Sequence, residues 1–309
     1  MGMGRTTYKR LEVGWAAAAL YVAGVGALAW WSPAGLAVLV GLTVLVLIHE
    51  GGHLVTARRC GIATSEFFAG FGPTVVAWTT ADGLRVGLKA IPAGGYVKVV
   101  GMSGREEVDP AEEATTFRAA SRAKRLAVVA AGPVVNVVFG FLMLFGAAAM
   151  ADHQSVPASL ADAWHRTTEV TTLTLDGLGA VAADPGGYGA AIADPAEADE
   201  APSRFLSPVG VAQLSTELAA EGPAPLIRLM AIASIGLGVM NALPLPPLDG
   251  GHAAVVGVES VLARVRRRPA LRLDTSNRAV AAITAVTFAL VLTLGASAIL
   301  FDVASPIAL

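Results

Sequence analysis

Two apolar runs in this chain are longer than any helix a soluble core of this size needs. Ala34–Ala57 extends for 24 residues and Leu126–Ala151 for 26. A helix crosses the ~30 Å hydrocarbon layer of a membrane with about 20 apolar residues. Three further stretches, Trp15–Trp31, Leu226–Leu243 and Ala279–Phe301, approach that length. Composition agrees, with 15% charged residues, 54% hydrophobic residues and a mean hydropathy of +0.62. Soluble domains carry about 25% charge, so this chain lacks the polar coat they need. The same values exclude disorder. A net charge of -2 leaves no general electrostatic case for nucleic acid. The single cysteine, Cys60, rules out an internal disulfide framework and a cysteine-based zinc site. The expected fold is a mainly α, polytopic membrane protein of about five transmembrane helices.

Charge placement orients those helices. With the N-terminus inside, the inner segments are 1–14, 58–125 and 264–278, holding three, ten and six basic residues, or 19 of the 22. Only Arg166, Arg204 and Arg228 fall elsewhere. The positive-inside rule therefore predicts five spans, N-terminus in and C-terminus out. Arg5, Lys9 and Arg10 precede the first run as they would in a signal sequence. The bulky Trp30-Trp31 pair stands where a signal peptidase needs small residues, so the run reads as an uncleaved anchor.

The segments between spans differ in character. On the inner side, Phe67-Phe68-Ala69-Gly70-Phe71-Gly72-Pro73, the alternating Leu84–Leu88 and Ile91–Val97 read as short strands joined by Gly and Pro turns. They predict a small membrane-associated β region, followed by a polar loop over Ser103–Thr115. On the outer side, Ser159–Leu178 predicts a helix with an apolar stripe, and Ala182–Ser203 reads as a flexible linker. His153 and His165 are expected to be solvated there. Cys60 is expected to be an ordinary interfacial thiol, and Arg264–Arg268 to anchor on anionic lipids. The chain divides into 1–33 (an extra N-terminal span), 34–151 (first part of the core), 152–225 (outer segment), 226–263 (second part of the core) and 264–309 (basic loop and last span).

Against this apolar background the second span carries His49-Glu50-Gly51-Gly52-His53. Residues four apart share a helix face, so His49 and His53 can ligate one zinc ion. Glu50, beside them, can act as a general base toward water. An ionisable residue at mid-membrane costs about 2.5–3.5 kcal/mol, so three within one turn demand a function. At 1.5 Å per residue, His49 lies roughly 22 Å along the helix from the outer face, in the inner half of the bilayer. A catalytic zinc takes a third protein ligand and keeps one position open. Asp249 is the candidate, in Asn241-Ala242-Leu243-Pro244-Leu245-Pro246-Pro247-Leu248-Asp249-Gly250-Gly251-His252, where three prolines break the helix. Irregular backbone at this depth requires protein or a wet cavity around it. His252 is a rival third ligand, and a Pro-rich loop with Asp249 merely solvated is the plainer alternative.

On these motifs the chain resembles the site-2 protease family of intramembrane zinc metalloproteases, in particular its bacterial branch. His49-Glu50-x-x-His53 and Asn241-x-x-Pro244 with Leu248-Asp249-Gly250 match the two metal motifs. Gly70-Phe71-Gly72-Pro73, Pro92-x-Gly94-Gly95-Tyr96-Val97, Ala131-Gly132-Pro133-x-x-Asn136 and Ser207-Pro208-Val209-Gly210 match in order between about 49 and 258. The resemblance implies one Zn2+ held by His49, His53 and Asp249, with Glu50 as base. It also implies a β region near 70–98 that holds an unwound substrate by strand addition. Gly94, Gly95, Tyr96 and Asn241 are then candidate substrate contacts, Asn241 alternatively bridging the broken helix. The implied partners are a single-pass membrane-protein substrate, such as an anti-sigma factor or a remnant signal peptide, and the bilayer of a bacterial inner membrane. Relatives in this branch usually carry PDZ domains on the outer side, and 152–225 has no room for that fold. A metal transporter and a non-catalytic membrane adaptor are the competing classes. The first would need further ligands along a route, and the second has no use for Glu50.

Overall fold

The computed structural model describes residues 9–103, 106–151, 155–193, 207–267 and 278–304. His153, Arg268 and the end of the expected linker lie outside them. Among the described residues, four helices are long and apolar enough to cross a membrane: α2 (Pro33–Arg59), α3 (Arg122–Ala151), α7 (Pro223–Asn241) and α9 (Arg278–Ala304). A shorter apolar helix, α1 (Trp15–Trp31), precedes them. The protein is a mainly α, multi-pass membrane protein, with one small sheet among the described residues. The described residues form two compact units: one of residues up to Trp31, Leu42–Gly132 and His252–Ala281, the other of Ser32–Gly41, Pro133–Gly251 and Ala282 onward.

The first unit holds an antiparallel sheet in the order β1 (Lys9–Val13), β2 (Thr64–Thr79), β3 (Arg85–Val99). The strands are longer than the short ones expected. β1 was not expected at all, because its basic residues read as a charged flank rather than as half of an alternating strand. Pairs from Thr79↔Arg85 to Thr74↔Lys89 form a hairpin, and Phe67↔Val97 and Phe68↔Tyr96 join the far ends. Glu66–Ala69 therefore has neighbours on two sides, at 85–88 and 95–98. Gly70 makes this path possible: its φ is +82°, and a Cβ there would lie 2.6 Å from Ile91 O. Phe68 is fully buried and stacks on Tyr96 with ring centroids 5.7 Å apart. A hydrophobic core of Ala57, Ile62, Val99, Phe117, Val128 and Val129 ties the end of α2 to the sheet and to the start of α3. A buried ion pair joins α3 to α8 (Asp249–Val265), with Arg125 Nη1 donating to Glu259 Oε2 at 2.5 Å.

The second unit packs α4 (Val156–Ala183) along α7, with Leu144, Ala163, Ala231, Ile235 and Val239 as its core. A Cβ at Gly140 would lie 2.9 Å from Ala231 O, so glycine sets the approach of α3 to α7. The expected linker is in part a helix, α5 (Pro185–Ala193). Asp184 precedes it, accepting from Gly187 N at 2.8 Å, and Pro185 occupies the first helical position. That is a helix-start signal which the glycines disguised. Another short helix, α6 (Pro208–Leu218), starts in the same way: Ser207 Oγ accepts from Val209 N and Gly210 N. Buried Asp302, near the end of α9, accepts from Ser207 N at 2.8 Å.

Candidate metal centre

The α-helical turn at 49–53 places both histidines on one buried face of α2. His53 Nδ1 is 2.7 Å from Val128 O on α3. A carbonyl only accepts, so Nδ1 carries the proton and Nε2 keeps its lone pair for a ligand. His53 Nε2 lies 3.2 Å from His49 Nε2, with the two rings at 78°. Two nitrogens at Zn–N distances of about 2.0–2.1 Å and a tetrahedral angle stand roughly 3.3 Å apart, which the observed spacing matches.

Asp249 opens α8 directly after the proline break at 242–248. Its carboxylate, with one ring nitrogen each from His49 and His53, forms a group whose ligand atoms all lie within 4.8 Å of one another. It is the one such group of three or more metal-ligating side chains among the described residues, and His252 is not in it. The turn after Asp249 needs glycine: a Cβ at Gly250 would collide with the carbonyls of Ala242 and Leu243 at the end of α7. Two neutral imidazoles and one carboxylate make a borderline-soft nitrogen and oxygen set that suits zinc and leaves a fourth position open. A further sign of fit is Gly132 on α3. A methyl group there would stand 2.7 Å from His49 Nε2 and closer to His53 Nε2, so the space beside both ring nitrogens is kept clear.

Glu50 points from the same turn to the sheet, where Val97 N donates to Glu50 Oε2 at 2.9 Å. Val97 lies in the 95–99 end of β3, which pairs with β2 on one side. The remaining candidates gather on this strand. Gly94 has a φ of +128°, and a Cβ on Gly95 would lie 2.9 Å from Phe68 O and 3.3 Å from Val46 Cγ1 on α2. Tyr96 OH donates to Glu66 Oε2 at 2.5 Å. Burial, and then that bond to a carboxylate, push the phenol above its usual range, so it remains a neutral donor. Asn241 is elsewhere, on the last turn of α7, its Nδ2 donating to Leu237 O at 3.0 Å. Asn136 on α3 is fully buried, and neither amide atom has a hydrogen-bond partner among the described residues.

Sequence reasoning missed three parts of this arrangement. They are the Val128 carbonyl that sets the tautomer, the Val97 amide on the glutamate and the spatial reason for Gly132. The first two are backbone groups, which no residue pattern reveals; the third was visible as a motif letter without its cause.

Membrane-length helices combined with two histidines, a carboxylate and a neighbouring glutamate are the parts of a membrane-embedded metalloprotease. The pattern of peptidase family M50 matches residues 37–294, and the chain belongs to that family, the site-2 proteases, whose cofactor is zinc. It is 28% identical over 322 residues to "Putative zinc metalloprotease mll0638" of Mesorhizobium japonicum, covering 72% of this chain and 88% of that protein. It is 39% identical over 114 residues to "Zinc metalloprotease Rip1" of Mycobacterium tuberculosis, covering 36% of this chain and 28% of that protein. The Mesorhizobium alignment spans 322 positions but draws on 72% of 309 residues, so about 100 of its positions have no counterpart here.

Proposed function

We propose that this metalloprotease cuts single-pass membrane-protein substrates in or beside their transmembrane segment, with His49, His53 and Asp249 as zinc ligands and Glu50 as general base. The observation that carries the reading is that one turn of α2 presents the ligand pair to the metal group and Glu50 to the amide edge of β3. A transmembrane helix hides its own amides, so a substrate must unwind before attack. An extended segment can then pair with the 95–99 end of β3 by strand addition. Bound to the three ligands, zinc supplies Lewis acidity that polarises the scissile carbonyl and lowers the pKa of water toward 7. Glu50 takes the proton of the attacking water and returns it to the leaving nitrogen as the C–N bond breaks. Gly94, Gly95 and Tyr96 lie on the pairing strand, and Asn241 ends the helix before the break. The positive-inside rule supports an active site in the cytoplasmic half of a bacterial inner membrane. Substrates such as anti-sigma factors or remnant signal peptides, in regulated intramembrane proteolysis, fit an enzyme of this kind.

The test uses reconstituted protein with a tagged single-span substrate. Glu50→Gln should lose at least about 10²-fold in cleavage while keeping stoichiometric zinc. Asp249→Asn should lose zinc. Cleavage by Glu50→Gln at the wild-type rate rejects the protease assignment, and zinc flux into liposomes that survives this substitution favours transport instead.

A further inference from the structure

The Gly132-Pro133-x-x-Asn136 motif is only half explained by the metal centre. Gly132 is required because its missing side chain clears both ring nitrogens. Asn136 has no such account. It is fully buried in α3, a helix of membrane length, and neither Oδ1 nor Nδ2 has a hydrogen-bond partner among the described residues. Burying an amide without partners is costly, and no bulk water is at hand inside a bilayer. An asparagine within a span ordinarily bonds to a neighbouring helix. The helix α7 is close enough for that: a Cβ at Gly238 would lie 3.3 Å from Asn136 Cβ. Yet Ser234 of α7 donates its hydroxyl to the main-chain O of Asn136, at 2.9 Å, and not to the side chain. The amide therefore serves neither the fold of α3 nor its packing on α7.

Its place on the helix suggests what it does serve. The helix α3 is continuous over Arg122–Ala151. Residues four apart share a face, so Asn136 follows Gly132 on the face that meets the two histidines, one turn or about 6 Å along the axis. Helical side chains lean toward the N-terminus of their helix, which carries the amide back toward the turn of Gly132. His49 and His53 are themselves only 5% and 6% exposed. The burial of Asn136 thus matches that of the histidines, and a substrate that reaches them reaches this face of α3. A primary amide offers donors and an acceptor side by side. With both unused, the occupant that fits presents an acceptor and a donor together. A peptide group does so, whereas an anion offers acceptors alone and an acyl chain offers neither.

We propose that Asn136 contacts the substrate main chain beside the scissile bond, Nδ2 donating to a carbonyl and Oδ1 accepting from an N–H of the unwound segment. This rests on the proteolytic reading, and the test separates the two. Reconstituted Glu50→Gln protein, which should bind without cutting, is titrated with a dye-labelled synthetic peptide of the substrate's span. The same titration is run with Asn136→Leu added, which keeps the volume of the side chain and removes the amide. Binding should weaken about 30-fold, the worth of two ordinary hydrogen bonds, with zinc content unchanged. Without peptide, Asn136→Leu should melt no lower than its parent, because the free protein has no bond to lose there. In the cutting enzyme, kcat/KM should fall at least as far as binding does. A series of peptides with one amide at a time replaced by an ester then locates the contact. One ester beside the scissile bond should weaken binding about five-fold when Asn136 is present and not at all in Asn136→Leu. Asn136→Ala, which cannot overpack α3 against α7, repeats the cycle should Asn136→Leu fold poorly. Equal binding with and without Asn136→Leu overturns the proposal, while cleavage by the wild type leaves the proteolytic reading standing. Loss of binding with no coupling to any ester position, together with a lower melting temperature, makes the residue structural and overturns it too. So does loss of cleavage with binding intact, which would put the amide on the attacking water. A wild type that does not cut, with a Glu50→Gln protein that does not bind, sinks both readings together.

Discussion

Gly132 shows how much of this site depends on a side chain that is missing. Its position beside both ring nitrogens makes alanine there a direct collision with the two proposed ligands, His49 and His53. Gly132→Ala should leave the helix formed, since alanine favours helix over glycine by about 1 kcal/mol. It should nonetheless lower zinc affinity by about 10–100-fold, the usual cost of disturbing the groups around a ligand. Metal content by mass spectrometry, together with an unchanged far-ultraviolet circular dichroism spectrum, checks both halves. A plainer residue-scale expectation concerns Glu113, whose carboxylate accepts from Arg118 Nε and Nη2 at 2.8 and 2.6 Å. The Arg118 bonds hold its pKa below 4.5. A depressed carboxyl stabilises the fold above its unfolded pKa and loses that contribution as pH falls through the folded one. Glu113→Gln should therefore flatten the acid limb of the stability curve below pH 4.5, which denaturant titrations in that range would show. At this scale the histidine pair and Glu50 were legible, because i, i+4 spacing on a helix is geometry written directly in sequence. Asp249 was legible only as a candidate beside His252, since a broken helix hides which residue comes close to the histidine pair.

Between elements, two buried acids do the connecting. Arg125 on α3 and Glu259 on α8 form a pair sealed from solvent, with the guanidinium 5.1 Å from the Phe117 ring centroid. Removing one partner leaves the other charged and buried, at about 3–5 kcal/mol, whereas replacing both with apolar residues is often nearly neutral. Arg125→Met and Glu259→Met should each destabilise by that amount, and the double variant should recover most of it, as a thermal-unfolding cycle in detergent would show. Asp302 plays a similar part for α6, whose first turn approaches so closely that a Cβ at Gly210 would strike its carboxylate. Gly210→Ala should displace that carboxylate from Ser207 N and cost about 1–3 kcal/mol, the usual penalty for a buried polar group left without its bond. Hydropathy revealed the long helices because length and apolarity suffice for them. It did not reveal β1, α5 or α8 as separate elements. β1 and α8 engage partners distant in sequence, Thr79 and Val76 for β1 and Arg125 for α8, while the glycines of α5 mask its local start signal.

For the whole molecule the open physical variable is orientation, and the chain carries its own reporter. Nineteen of 22 basic residues fall in segments that the positive-inside rule assigns to one side. The single cysteine, Cys60, is only partly buried and follows directly on α2, with its carbonyl accepting from Lys124 Nζ at 2.7 Å. A membrane-impermeant maleimide should therefore leave Cys60 unmodified in intact cells or right-side-out vesicles and label it in inverted ones. Glu221, exposed in the short turn between α6 and α7, belongs to the opposite side on the same assignment. Cys60→Ser/Glu221→Cys should show the reverse pattern. If Cys60 is labelled from outside, the charge rule fails for this protein, and the metal centre on α2 belongs to the other half of the bilayer. If both positions label from the same side, the span count between residues 60 and 221 is even. The protein would then need one crossing more or fewer than α3 alone provides. The labelling pair thus separates a wrong orientation from a wrong number of spans, a distinction that neither hydropathy nor charge counting makes alone.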